Sequence, residues 1–437
     1  MSSVFGVRRG IRYNLVADCL PACPCPPGWR RNSSNLVART RALSFTRLSE
    51  LVEDEKFKSP DKRDTEDVVV IGSSAAGLYT AARVAHGGRG VSVLESKATP
   101  DPAPRTLIVT DYFKNQISAA ARSSILNEIR RFELFTDGRS AQVTLKQPDL
   151  IIERSRLIRT LAEEAAHAGA KLRYDTRFLD LSPNAKGLHV QVDQGGKREE
   201  LHAASVVGAD GAASRVARAA GWPPVETVPL VQAVVKLPKD CRPDTTRVWF
   251  VPDDTPYFYW MIPESTERAA VGVIGEHGRA TKLFFDRFLE KKGFEPLEWQ
   301  GARIPVYNKW VPVQRTVGNG EVYLVGDAAA QVKVSTVGGI VTGFRGARGV
   351  ADAILQKGTS ELRTLRRELG THWLIRRALH HFKQADYSEL VDLLNASARE
   401  SLGEINRDES TRLLWNVIRR QPKLVLLGLR GLLLGKR

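Results

Sequence analysis

The apolar positions of this 437-residue chain fall into short β-branched runs separated by stretches of helical spacing. Val68-Val69-Val70-Ile71 is apolar at successive positions, which predicts a strand buried on both faces. From Ala75 to Ala85, small and apolar residues predict a helix, which Gly87-Gly88 stops. Val91-Ser92-Val93-Leu94 predicts the next strand, ending on Glu95. Together they form a βαβ unit. The same strand-then-helix order recurs. Leu150 to Glu153 precedes Arg154, Leu157, Leu161, Ala165 and Gly169, and Ser205-Val206-Val207 precedes Gly208-Ala209-Asp210-Gly211 and a helix opened near Ser214. Val322 to Asp327 is a further strand, and Tyr257 to Pro263 an aromatic one. Between Arg366 and Leu394, Trp373, Leu374, Leu379, Phe382, Tyr387, Leu390 and Leu393 form the apolar face of one or two helices.

The first βαβ turn carries candidate chemistry. In Gly72-Ser73-Ser74-Ala75-Ala76-Gly77, Gly72 makes the tight turn and Gly77 lets the helix approach the strand. The helix start, Ser74 to Gly77, offers unpaired N–H groups and the positive dipole end to a pyrophosphate. Glu95, with Ser96 beside it, is placed to accept hydrogen bonds from ribose hydroxyls. Ser74 stands where the middle glycine is usual, so its side chain must avoid the phosphate or bond to it.

The later pieces resemble a known family. Gly208-Ala209-Asp210-Gly211, with Ser214 and Arg218 after it, resembles the Asp-Gly motif of group A flavin monooxygenases and their relatives. Gly326-Asp327-Ala328-Ala329 resembles that family's Gly-Asp pair, which implies that Asp327 bonds the ribitol of FAD. Gly338 and Gly339 match the glycines that bring N–H groups to the flavin ring. The helix begun by Arg154 resembles the family's arginine helix, which implies a cation near the cofactor; a solvated helix-start cation is the alternative. Within this superfamily, Tyr257-Phe258-Tyr259-Trp260-Met261-Ile262-Pro263 is similar to the Y-x-W-x-F-P segment of the geranylgeranyl reductases. It is also near the W-x-W-x-I-P of flavin-dependent halogenases.

The resemblance implies an α/β fold: a three-layer, glutathione-reductase-like FAD domain with a parallel sheet, interleaved with a β-sheet substrate domain and closed by a C-terminal helical cap. The expected division is an extension over 1–66, an FAD domain over 67–220 and 311–360, a substrate sheet over 221–310 with part of 101–144, and a cap over 361–437. The implied activity is FAD-dependent reduction of carbon–carbon double bonds in a polyprenyl chain, with NADPH or a reduced carrier protein as electron donor. Trp260 and Tyr259 are the candidate catalytic residues. A monooxygenase or halogenase, and a prenyl-binding escort without catalysis, share the same cofactor motifs.

The chain also departs from the pattern. After the first ribose-binding acid these families often carry P-R-x-K-x-C-G, whereas Pro104-Arg105-Thr106-Leu107-Ile108-Val109-Thr110 has neither lysine nor cysteine. That weakens a halogenase reading and removes one proton donor. Val334 replaces a usual proline and Val337 a usual glycine, so a differently shaped flavin loop is expected.

Composition narrows the picture further. Of four cysteines, Cys19, Cys23 and Cys25 cluster near the start, leaving Cys241 in the body and no disulfide framework. Neither the cysteines nor the eight histidines form a metal-ligand set. Residues 1–49 hold eight arginines and one acid, Asp18. This is the composition of a leader or disordered extension, with organellar import as the alternative to a cytoplasmic location. Residues 411–437 contain Arg412, Arg419, Arg420, Lys423, Arg430, Lys436 and Arg437 among leucines, and no acid. Such a helix either lies at an anionic membrane surface, with Trp415 at headgroup level, or docks on the core. The net charge of +16 reflects these tails and comes with no nucleic-acid motif.

Overall fold

The computed structural model describes residues 65–99, 102–276 and 280–434. The Arg-rich start, its three cysteines and the last three residues lie outside this range. The chain leaves a first sheet for a second twice and returns twice. Strand β1 (Thr65–Ile71), helix α1 (Ala75–His86) and β2 (Val91–Leu94) form the expected βαβ unit. The chain then crosses to the second sheet for β3 (Thr106–Val109), β4 (Ile125–Thr136) and β5 (Arg139–Glu153). Helix α2 (Arg154–His167) returns it to the first, which gains β6 (Lys171–Arg173), β7 (Thr176–Asn184), β8 (Gly187–Gln194) and β9 (Lys197–Gly208). After the short α3 (Arg215–Ala219) come β10 (Thr227–Lys236), β11 (Thr245–Trp249), β12 (Tyr259–Pro263) and β13 (Arg268–Ile274). Helix α4 (Thr281–Lys292) and β14 (Glu298–Pro305) complete the second sheet, and β15 (Gln314–Val317) and β16 (Gly320–Leu324) close the first.

In the first sheet the strands run β15-β16-β9-β1-β2-β6, with β8 and β7 continuing antiparallel from β9. All pairs from β16 to β6 are parallel, which fits their continuous apolar runs. Val69, Val70, Val93, Val206, Val207 and Leu324 are fully buried there, beneath Leu78 and Val84 of α1 and Leu157 of α2. Each such side chain contributes roughly 1.5–3 kcal/mol of hydrophobic stabilisation.

The second sheet, ordered β14-β10-β13-β12-β11-β4-β5-β3, has two distinct faces. Tyr259, Met261, Val271, Val273 and Trp249 pack against Phe285, Phe288 and Leu289 of α4. The residues one position away, including Trp260, Ile262, Gln232, Val248 and Phe132, line a cavity on the other face. Strand β5 stays in this second sheet through Glu153.

Helix α5 (Ile340–Ile354) leads into the helical cap of α6 (Ser360–Leu379), α7 (Gln384–Leu393), α8 (Ala396–Glu404), α9 (Ser410–Arg420) and α10 (Lys423–Leu434). The basic tail docks on the core along one face. Leu427 is buried with Phe382 and Tyr387, and Gly431 sits so close to Ala378 that a Cβ would approach its carbonyl oxygen to 2.2 Å. Trp415, Leu426, Leu429 and Leu433 nevertheless remain exposed.

Candidate active site

A crevice opens at the carboxyl ends of β1, β2 and β9, where Gly72, Ser74, Glu95, Ser96, Arg154 and Asp210 meet. Two glycines hold it in shape. Gly72 has φ +99°, and a Cβ there would lie 2.6 Å from the Ala209 carbonyl oxygen. At Gly77 a Cβ would lie 2.4 Å from the Gly72 carbonyl oxygen and 2.8 Å from the Ala209 Cβ. Helix, turn and the Asp-Gly loop therefore touch backbone to backbone, which only glycine allows. Ser74 takes neither the phosphate-avoiding nor the phosphate-bonding course simply. Its Oγ accepts from the Gly77 N–H at 3.2 Å and caps α1. The N–H groups of Ala75 and Ala76, which no helix carbonyl can satisfy, remain as first-turn donors.

Glu95 is held by its neighbours. One carboxylate oxygen accepts from the Ser73 N–H (3.0 Å) and Oγ (2.7 Å), the other from the Lys97 N–H (3.0 Å) and Ser96 Oγ (3.1 Å). Burial would raise its pKa, but these bonds together outweigh it and hold the group below the ordinary carboxylate range. Asp210 faces the same crevice, yet its carboxylate accepts from Ser214 Oγ (2.6 Å), Arg215 N–H (2.7 Å) and Val216 N–H (3.2 Å). It builds the wall by fixing α3.

Between the crevice and the cavity stand three charges. Asp327 lies in the turn Gly326–Ala329, where Gly326 has φ +62°. Burial raises the Asp327 pKa, opposed by Arg105 and Arg154. Burial pushes the Arg105 guanidinium down to about 10, the charge of Arg154 adding to this and Asp327 opposing it. Arg105 Nε is buried without a hydrogen-bond partner. Arg154 begins α2, half-buried, its pKa lowered by burial against the opposing charge of Asp327. It lines the crevice together with Glu95 and Asp210.

The cavity itself, of about 310 Å³, is walled by the second sheet, by Val337-Gly338-Gly339-Ile340, and by Arg376, Leu379 and Tyr387 of the cap. Val337 was expected to reshape this loop. Instead it adopts the glycine-like left-handed conformation, φ +55°. That costs on the order of 1–3 kcal/mol, which the surrounding contacts must offset. Trp260 lines the cavity, with Nε1 donating to Gln232 Oε1 at 3.1 Å. Its indole fills a slot that exists because residue 272 is glycine, where a Cβ would come within 2.3 Å of the ring.

Tyr259 requires a correction. It is fully buried on the opposite face, stacked on Phe288 with ring centroids 4.0 Å apart, and its hydroxyl donates to Asp254 at 2.9 Å. Burial and that bond push its pKa up. Strand alternation puts neighbours on opposite faces, so only one of Tyr259 and Trp260 could reach the cavity. Cys241 is likewise buried behind the sheet with Trp249 and Phe288, its thiol pushed up to about 11 by burial, and does not replace the missing cysteine.

The sequence reading missed a polar cluster under the flavin loop. Lys333 Nζ pairs with Asp408 Oδ1 at 2.7 Å, and both side chains are almost completely buried. Thr110 Oγ1 donates to the other Asp408 oxygen at 2.5 Å. Burial raises the Asp408 pKa, but the Lys333 charge and these bonds outweigh it and hold the group low. Ser335 Oγ meets His372 Nδ1 at 2.6 Å. Burial, then the Lys333 charge, push the His372 pKa down to about 3, so the ring is neutral. A lysine inside an otherwise small and apolar loop was the available signal for this cluster. Its partner, in the cap, had none.

The fit to FAD rests on this donor set: a backbone cradle that Cβ atoms would fill, an acid at a strand end, an acid and two arginines at the junction, and an unpartnered guanidinium nitrogen. Fold and site define an FAD-dependent oxidoreductase. Residues 65–357 match the FAD binding domain family. Digeranylgeranylglycerophospholipid reductase 2 of Methanothermobacter thermautotrophicus is 31% identical over 295 residues, covering 63% of this chain and 74% of that protein. The digeranylgeranylglycerophospholipid reductase of Methanosarcina acetivorans is 26% identical over 379 residues, covering 78% and 91%. The chain belongs to this geranylgeranyl reductase family of FAD-binding oxidoreductases. Among solved structures, a geranylgeranyl bacteriochlorophyll reductase-like protein from Thermoplasma acidophilum is similar with a TM-score of 0.69 at 21% identity, covering 83% of this chain and 98% of that one. A flavin-dependent halogenase is also similar, with a TM-score of 0.62 at 15% identity over 83% and 78% of the two chains.

Proposed function

We propose that this protein reduces isolated carbon–carbon double bonds of a polyprenyl chain. The observation that carries the reading is the apolar cavity that meets Val337-Gly338-Gly339 on one wall and Trp260, Phe258 and Ile262 on another. It suits a chain with few polar atoms, and the named activity of the sequence relatives agrees. Bound FAD, when reduced, supplies the hydride equivalent. The crevice residues would hold its AMP half, with the first-turn N–H groups of Ala75 and Ala76 at the phosphates and Glu95 at the ribose, and Asp327 at the junction would hold the ribitol of its flavin half. Trp260 and the sheet face hold the prenyl chain against the loop and exclude water. Thr336 lines the cavity and its Oγ1 is buried without a partner, which makes it the group to orient a proton source. Electrons reach the site from NADPH or a reduced carrier protein.

A halogenase reading finds no support in the cavity, because no lysine among the described residues lines it. Lys333 is locked to Asp408 beneath the loop instead. The proposal is tested by incubating the FAD-loaded protein and a reductant with geranylgeranyl lipids, with and without oxygen, and weighing the products. Reduction adds hydrogen pairs in either atmosphere. Products that gain oxygen, and only in air, would replace this reading with a monooxygenase.

The exposed Trp415, Leu426, Leu429 and Leu433, with Arg419 and Lys423 between them and no acid over 410–434, form a surface suited to an anionic bilayer. On this reading, flotation with phosphatidylserine vesicles is lost in Leu426→Ser/Leu433→Ser. Equal flotation of that variant would remove the membrane contact from the account.

A further inference from the structure

Arg376 is an unusual wall for an apolar cavity. It sits on α6, one helical turn after His372, and only 6% of its surface is exposed. Its Nη2 donates to the Pro256 carbonyl at 2.5 Å, and its guanidinium lies 4.8 Å from the centre of the Tyr257 ring. Nε is buried with no hydrogen-bond partner. Two other cations line this cavity. Arg407 pairs with Asp149, and Arg105, without a direct ion pair among the described residues, has the buried Asp327 acting on it. Among the described residues no carboxylate lies within ion-pair distance of Arg376. A guanidinium carries its charge in any protein environment, and a buried charge without an anion is costly.

We infer that Arg376 is the anion-recognising residue of the cavity, holding the phosphate head of a prenyl substrate while the apolar walls hold its chain. This rests on the prenyl-reductase reading and adds to it a requirement for a charged head. The planar fork of arginine suits phosphate oxygens, and a cavity that excludes water strengthens the bond. Apart from Arg105 and Arg407, which have acids acting on them, the lining is mainly apolar, so the ligand is an amphiphile with one anionic end.

The test measures binding to the FAD-loaded protein by quenching of tryptophan fluorescence, so that it does not depend on turnover. The probes are geranylgeranyl monophosphate, geranylgeranoic acid and geranylgeraniol. The wild type should bind the monophosphate tightest and the alcohol at least tenfold more weakly. Arg376→Met should weaken the monophosphate roughly ten- to a hundredfold and leave the alcohol unchanged, whereas Arg376→Lys should recover part of the loss. A carboxylate bound as tightly as the phosphate would mean that charge alone is read, which still supports the inference. Equal wild-type affinity for alcohol and monophosphate overturns it while leaving the prenyl reading intact. Failure of all three probes to bind sinks the prenyl reading itself. If Arg376→Met changes the rate of flavin reduction by NADPH and not the affinity for these probes, the anion site belongs to the electron donor and the inference is wrong. Should neither variant retain FAD, the wild-type comparison of charged and neutral heads decides.

Discussion

The nucleotide crevice and the apolar cavity are built on opposite principles. The crevice is made by backbone: glycines at 72 and 77 bring three segments together, and helix and strand ends supply the binding groups. Its side chains, Glu95 and Asp210, are already fixed by hydrogen bonds to the turns around them. The cavity is made by side chains drawn from seven strands, a loop and three cap helices, and one buried ion pair links its loop to its cap. A backbone site tolerates change around it and fails when a Cβ intrudes. A side-chain site can be reshaped residue by residue, and its weak points are the buried charges that tie it together.

The largest effect that would sharpen this contrast is expected at that ion pair. Lys333→Met leaves Asp408 buried and unpaired, so a loss of about 3–5 kcal/mol in denaturant unfolding is expected. Adding Asp408→Asn should restore much of it. If the single variant is as stable as the wild type, the pair does not hold the loop. On the crevice side, Gly77→Ala pushes a methyl group to 2.4 Å from backbone and should weaken FAD binding by roughly ten- to a hundredfold, about 1.4–2.7 kcal/mol, in a titration of the apoprotein. Unchanged FAD affinity would show that the turn can relax.

His372 gives a smaller, pH-dependent effect. Its pKa is near 3 in the fold against an ordinary 6.5, so the folded state binds fewer protons than the unfolded chain. Its contribution to stability is therefore complete above pH 6.5 and lost as pH falls below it, about 2 kcal/mol by pH 5. Thermal unfolding of His372→Gln should be less steep in pH over that window than that of the wild type; parallel curves would contradict the buried neutral ring. The finest discrimination lies within β12. Trp260→Ala should lower kcat/KM at least tenfold with FAD content unchanged, whereas Tyr259→Phe should cost about 1 kcal/mol of stability and leave turnover alone. The reverse pattern would mean that the strand has been placed in the wrong register.

The same contrast explains what could be read from the sequence. The first βαβ unit lies within some thirty residues, and its hydrophobic runs, glycines and terminal acid leave one arrangement. Arg154 and Asp327 were found through motifs of similar kind, and the structure sets both beside the crevice. The aromatic strand was recognised, but not which of Tyr259 and Trp260 faces the cavity, because alternation is symmetric until the partner of one face is known. Helix α4, which claims Tyr259, begins 22 residues later. Val337 looked disruptive by residue type, yet the tertiary frame imposes the left-handed conformation on it. Lys333–Asp408 and Arg376 were invisible for a different reason. Lys333 takes its meaning from Asp408, 75 residues downstream, and Arg376 from Pro256, 120 residues upstream, whereas a lone lysine or arginine in a helix or loop is ordinarily a solvated charge.

The central claim is that the reduced enzyme delivers hydride to a prenyl double bond. It is tested most directly in one anaerobic experiment, by reducing the FAD-loaded protein chemically, removing excess reductant, adding geranylgeranyl lipid and following the flavin absorbance. The account predicts that the oxidised spectrum returns without oxygen, in step with a product heavier by two hydrogens per flavin reoxidised. A flavin that stays reduced with every prenyl substrate until air is admitted would contradict it.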